Sequence, residues 1–189
     1  MPLYQNTSVV SAYLTIGNYK IECASVGTTA GGTWVNLGAG MVNSFGYEPT
    51  KMETQAGNAP DPIEGVADEV FKIDAELIEY NASTLAIISG GLLTKSAGTT
   101  GVTILKGGGK TSITEKAFKL TNRRLIGTVT SKTVILVFKA TLDTGLSFTA
   151  KSDNDTDPVN VMPLTITGKL NTSLTAGTQL FSITRTYNP

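Results

Sequence analysis

The chain has 189 residues, with 15 lysines and arginines against 15 aspartates and glutamates, and only 16% of its residues carry charge. The zero balance argues against a free nucleic-acid binder, which replaces counterions on phosphate with an excess of basic residues. It also removes the self-repulsion that keeps copies apart, so together with 40% hydrophobic residues it fits a surface partly covered by copies of the same chain.

The length suits one domain, and a core of this size needs no covalent staple. Leu14 to Ser25 alternates loosely and predicts a strand with a turn at Gly17-Asn18. Gly27 to Gly32 predicts a loop, and Thr33 to Gly38 a short strand ending at glycine, with Trp34 as a core anchor. Asn43 to Thr54 follows, with Phe45, Tyr47 and Met52 as its apolar members. Thr54 to Ala67 reads as a long loop, because Pro60 and Pro62 lack ladder donors and Gly57 and Gly65 loosen the backbone. Loops of that length in a compact domain are usually functional or disordered.

Glu69 to Glu79 carries the clearest strand pattern. Phe71, Ile73, Ala75 and Leu77 share one face, and Lys72, Asp74 and Glu76 share the other, so a core side and a wet side are expected. Asn81 then predicts an N-cap for a helix ending at Gly90-Gly91, with Leu85 and Ile88 packed on a sheet. Thr94 to Thr100 reads as a loop, Val102 to Lys106 as a strand, and Ile113 to Thr121 as another with Phe118 and Leu120 inward. Lys132 to Leu142 is apolar on both faces and predicts a strand covered on both sides. Leu146 to Ala150 is a short strand, Ser152 to Val159 an acidic loop. Val161 to Leu170 and Gln179 to Tyr187 are closing strands, with Leu164, Ile166, Phe181 and Ile183 inward. About nine strands and one short helix imply a mainly β fold, a β-sandwich or β-barrel with the helix laid against it.

Little in this pattern supports chemistry. Histidine is absent, which removes Ser-His-Asp triads, Cys-His pairs and His-based metal sites. The single cysteine, Cys23, allows no intrachain disulfide and reads as a buried small hydrophobe. Gly107-Gly108-Gly109-Lys110-Thr111 looks like the end of a phosphate loop, but Ile104 stands where glycine is required and a strand is expected after it, so a hairpin turn is the better reading. Asp153 to Asp157 resembles the start of a calcium loop, with Pro158 and Leu164 at positions that need glycine and glutamate. Asp74 with Glu76, or Glu76 with Glu79, has permissible spacing for a carboxylate pair, without a sugar cleft to support it. Arg123-Arg124 reads as a strand-end ion-pair donor. No cofactor, metal or catalysis is expected. The N-terminus lacks a basic region before an apolar run, and no run approaches ~18 apolar residues, so neither a signal peptide nor a membrane span is expected, and assembly in a cytoplasm is.

The order of these features resembles the tail tube protein (major tail protein) of siphophages over roughly residues 30 to 185. Trp34 to Gly38 resembles that family's short strand before the first long hairpin. Tyr47 to Glu69 resembles the hairpin itself, two strands around a Pro/Gly-rich loop. Phe71 to Asn81 running into Leu85 to Gly91 resembles its strand and single helix, and Leu120 to Leu125 with the paired C-terminal strands fits the same layout. The resemblance implies one tail-tube-like β-sandwich domain over 1–189 with a flanking helix at about 81–90. It also implies a structural virion protein of the phage tail, assembled in the host cytoplasm, whose hexameric rings stack into a conduit for DNA ejection. Its partners would be itself and other tail proteins such as the tape measure and terminator, with DNA passing unbound. Gln55, Asn58, Pro60, Asp61, Pro62 and Glu64, in a loop at about 54–67, would make inter-subunit contacts. Asp74 and Glu76 are candidates to line the lumen, since carboxylates repel phosphate and let DNA slide. The alternatives are a β-sandwich carbohydrate-binding or adhesin-type module, disfavoured by 7% aromatic residues, and another tail component such as a terminator or decoration protein.

Overall fold

A computed structural model describes residues 17–54, 63–78, 81–97, 102–126, 129–143 and 161–188. It contains nine strands and one helix among them. The strands are β1 (Gly17–Ala24), β2 (Val35–Thr54), β3 (Ile63–Leu77), β4 (Leu93–Ala97), β5 (Thr103–Gly107), β6 (Lys116–Ile126), β7 (Val129–Leu142), β8 (Met162–Gly168) and β9 (Phe181–Asn188); the helix is α1 (Ala82–Ile88). The expected mainly β class with one short helix holds.

The large sheet runs β6-β1-β2-β3-β8-β7-β9, every pairing antiparallel, and β6 also pairs with β7. That extra ladder closes β6-β1-β2-β3-β8-β7 on itself, joining the layers a sandwich would leave apart and removing the edges of those strands. Strand β9 bonds to β7 from Val137–Phe181 to Thr130–Asn188, while β8 takes the end of β7 at Ala140 to Leu142. Strands β4 and β5 form a separate hairpin.

Alternation puts one face of the strands of the closed cycle into the core. Phe71, Ile73, Ala75 and Leu77 are buried, as are Ile21 and Cys23 of β1, Phe118 and Leu120 of β6, and Met162, Leu164 and Ile166 of β8. In β7 three consecutive residues, Ile135, Leu136 and Val137, are buried, so both faces of the strand are covered there, as expected. Asn81 caps α1 with its Oδ1 accepting from the Thr84 amide at 3.0 Å. Gly90 and Gly91, at φ 61 and 81, stop it. Ile88 enters the core and Leu85 packs against it.

Several expectations change. The strand expected to stop at Gly38 runs through it. The pairing with β1 shifts so that Leu37 has no opposite number, and Gly38 at φ 127 supplies the backbone turn that this β-bulge requires. Trp34 is half-exposed, not a core anchor, with its indole N–H donating to the Thr29 carbonyl at 3.1 Å. Ile183 is 37% exposed although it stands opposite the buried Ile135, because β9 is an edge strand outside the closed cycle. Leu93–Ala97 is a strand where a loop was expected from Thr94, with β5 as its one strand partner among the described residues. The glycine run after β5 is no hairpin turn: residues 108–115 have no regular structure, and β5 and β6 are not paired. Residues 146–159, including the acidic loop, lie outside the described residues.

Candidate assembly surfaces

The first surface is a projecting arm. Strand β1 covers β2 only from Val35 to Val42, and β8 covers β3 only from Phe71 to Leu77. Beyond those limits β2 and β3 pair with each other alone, from Glu48–Val70 out to Thr54–Ile63. Met52 is 50% exposed and Val66 56%. Their opposite numbers, Gly65 and Lys51, are adjacent to them in register, so the two side chains stand on opposite faces of the arm. An isolated two-stranded hairpin is marginal in water, which makes this arm the part of the described fold most in need of a covering partner.

Its base is anchored. The Tyr47 hydroxyl donates to the Glu69 carboxylate across the ladder, and this bond pushes the Tyr47 hydroxyl above its ordinary pKa. The Tyr47 ring lies 5.8 Å from that of Phe181 at 55°, and Phe181 stacks on Phe71 at 4.0 Å and 13°. The aromatic series ties the arm, the start of β9 and the core into one unit.

The expected inter-subunit loop is shorter than 54–67. Strand β2 reaches Thr54 and β3 begins at Ile63, so Glu64 belongs to a strand, opposite Glu53 in register, rather than to a loop. Glycine and proline content concealed this stretch, because an arm with no core face shows no buried alternation. Gln55, Asn58, Pro60, Asp61 and Pro62 lie outside the described residues.

The second surface is the edge of β9. One side of this eight-residue strand bonds to β7, and the other has no strand partner among the described residues. Such an edge is a template for pairing with another chain.

The third and fourth surfaces are charged flanks on the outside of the closed sheet. One is a groove of about 850 Å³ across β2, β1, β6 and β7, whose lining includes Lys20, Lys119, Arg123 and Lys132 around the single carboxylate Glu22. Glu22 is buried beneath its partners, 2.7 Å from Lys20 Nζ and 3.0 Å from Lys119 Nζ. Burial works against its charge, but the two lysines outweigh it and hold the carboxyl below its ordinary pKa. Lys119 also lies 4.6 Å over the Trp34 ring, so the tryptophan expected in the core instead backs a surface cation.

The other flank carries Asp74 and Glu76, on the outer face of β3 as their alternation demands. Asp74 is exposed and accepts from Ser44 Oγ at 2.9 Å and Thr165 Oγ1 at 3.0 Å, on the strands to either side. Glu76 is half-exposed opposite Met41 and Pro163. Asp143, just past β7, accepts from Thr141 and Thr167 on the same side of the sheet. Glu48 and Asp68 continue the outer face along the arm, and Lys72 is the cation among them.

Elsewhere the motifs serve the fold. Lys110 of the glycine run donates to the Gly91 carbonyl, and the Thr114 amide donates to the Gly90 carbonyl at 2.8 Å, so this segment latches onto the end of α1. Arg123 and Arg124 are exposed and have no carboxylate partner among the described residues. No group of three or more His, Cys, Asp or Glu residues able to hold a metal occurs among the described residues. Sequence reasoning found the acidic flank but not the basic groove, because the groove exists only once β6 is laid beside β1.

No protein-family model and no curated protein matches the chain. Among solved structures, one similar chain is described as the crystal structure of an Hcp protein. It is 10% identical, over 89% of this chain and 98% of that one, with a TM-score of 0.33. That score is too low to carry the role of one protein to the other.

Proposed function

We propose that this chain is a non-catalytic structural subunit that self-assembles into rings stacking as a hollow tube, as in the tail tube of a long-tailed phage. The observation that carries the self-assembly reading is the β2–β3 arm, which leaves the closed sheet with both faces in solvent and only its own ladder to hold it. An arm of this kind gains its missing contacts when it lies against a neighbouring copy, and the free edge of β9 offers a place for main-chain pairing. The tube, its hexameric rings, its place in a phage virion and its service in DNA ejection rest on the sequence resemblance. Tape measure and terminator proteins would be its partners on the same grounds.

The test is negative-stain electron microscopy of the purified chain at high concentration, paired with light scattering. Rings or hollow tubes are expected. A variant with the arm shortened, residues 51–66 replaced by a Gly-Asn turn, is expected to fold, by circular dichroism, and to remain monomeric. A wild-type chain that stays monomeric at every concentration, or an arm-shortened chain that assembles as well as wild type, overturns the proposal.

A further inference from the structure

The closed sheet places the basic groove and the acidic flank on opposite sides. In the cycle β6-β1-β2-β3-β8-β7, strand β1 stands across from β8 and β6 across from β3. The groove centres on β1 and β6, and the acidic flank on β3 and β8. Among the described residues the two sides therefore differ in charge, basic across β1 and β6 and, with Lys72 as its cation, mainly acidic across β3 and β8. Within the groove Glu22 is already paired to two lysines, and Arg123 and Lys132 are its cations with no carboxylate partner among the described residues. On the far side, Asp74 and Asp143 are held by hydroxyl donors, which fix their oxygens without neutralising them.

We infer that the basic groove receives the acidic flank of a second copy, in a head-to-tail contact. This rests on the self-assembly reading and specifies which faces meet. Opposite charge on opposite sides selects a heterologous interface, since a two-fold contact would set like against like. Head-to-tail contacts repeat from copy to copy and give a ring where the rotation closes. The groove is concave, and the acidic flank is the outer surface of a sheet, so a strand face of one copy can enter the hollow of the next. This assignment puts Asp74 and Glu76 at a subunit contact rather than along a lumen.

The contact is tested with two charge-reversed variants. Asp74→Lys/Glu76→Lys makes both sides basic, and Arg123→Glu/Lys132→Glu makes both sides acidic. All four positions are at the surface of the described fold. Each variant alone is expected to lose lateral association in sedimentation velocity at low salt, and an equimolar mixture to recover it through alternating copies. Recovery in the mixture also shows that both variants are folded. If wild type assembles and each variant assembles alone, the docking assignment is wrong while the self-assembly reading stands. A mixture that fails to associate, with both variants folded by circular dichroism, overturns the assignment too. Wild type that never associates overturns both.

Discussion

Glu22 is the carboxylate on which the basic side of the sheet depends, and replacing it with glutamine isolates its charge from its shape. The side chain is 11% exposed, with Lys119 at 3.0 Å and 15% exposed, and Lys20 at 2.7 Å and 52% exposed. Lys20 is wet enough that its pairing contributes at the surface level, under about 1 kcal/mol. Lys119 is not. Removing one member of a fully buried ion pair costs about 3–5 kcal/mol, and Lys119 keeps some access to water, so Glu22→Gln is expected to cost about 2–3 kcal/mol. For a domain of this size that is a fall of roughly 5–10 °C in melting temperature. The carboxyl is held below its ordinary value of 4.5 in the folded chain. A depressed carboxyl stabilises the fold above its unfolded pKa, and this contribution is lost as pH falls through the lower folded value. The gap between wild type and Glu22→Gln should thus be full at pH 7 and shrink below pH ~4.5 as the carboxyl protonates. Thermal melts of dilute, monomeric protein from pH 7 to pH 3 measure it. Equal melting at pH 7, or a gap that does not narrow in acid, refutes the reasoning.

Gly38→Ala places a Cβ at φ 127, a conformation L residues avoid, and should destabilise the chain by about 1–3 kcal/mol in urea titrations. An unchanged midpoint would mean that the bulge relaxes freely. The Cys23 thiol is buried, with burial pushing its pKa to about 11, so it should resist a disulfide reagent at pH 8 in the native chain and react at once in denaturant. Fast native reaction would place it at the surface. Phe181→Ala removes the ring between Tyr47 and Phe71 and should cost about 3–4 kcal/mol while making the arm more sensitive to proteolysis. Loss of stability without added cleavage in the arm would show that Phe181 does not anchor it.

Where burial imposes a period, the fold could be read from residues. The Phe71-Ile73-Ala75-Leu77 face, the Asn81 cap and the glycine stop after α1 follow from local rules, and all occur. The misreadings share a cause: they fall where contacts outside the segment decide. Gly38 looks like a terminator until β1 lies beside it and the register shift needs a glycine. Trp34 looks like a core residue until the β-sheet places Lys119 over it. Ile183 alternates as an inward residue and stands opposite the buried Ile135, but its strand ends the sheet, so that one side of it stays open. Strand β4 pairs with β5 and packs against α1, and among the described residues no large sheet lies on it to impose an alternation. The basic groove was illegible for the strongest reason, since Lys20, Lys119 and Lys132 are brought together by ladders between segments far apart in sequence.

Salt separates the two kinds of contact that assembly needs. The flanks meet through charge, and exposed ion pairs weaken as the Debye length falls from about 10 Å at 0.1 M to about 3 Å at 1 M. The arm presents Met52 and Val66 together with backbone, and apolar contacts hold or strengthen in salts excluded from protein surfaces. Lateral growth should therefore fail first as sodium sulfate rises, while the contact made by the arm persists. Sedimentation velocity across the series is expected to show large assemblies giving way to small oligomers rather than directly to monomers. Assemblies of constant size from low to high salt would refute an ionic flank. A direct fall to monomer would refute an independent, apolar role for the arm.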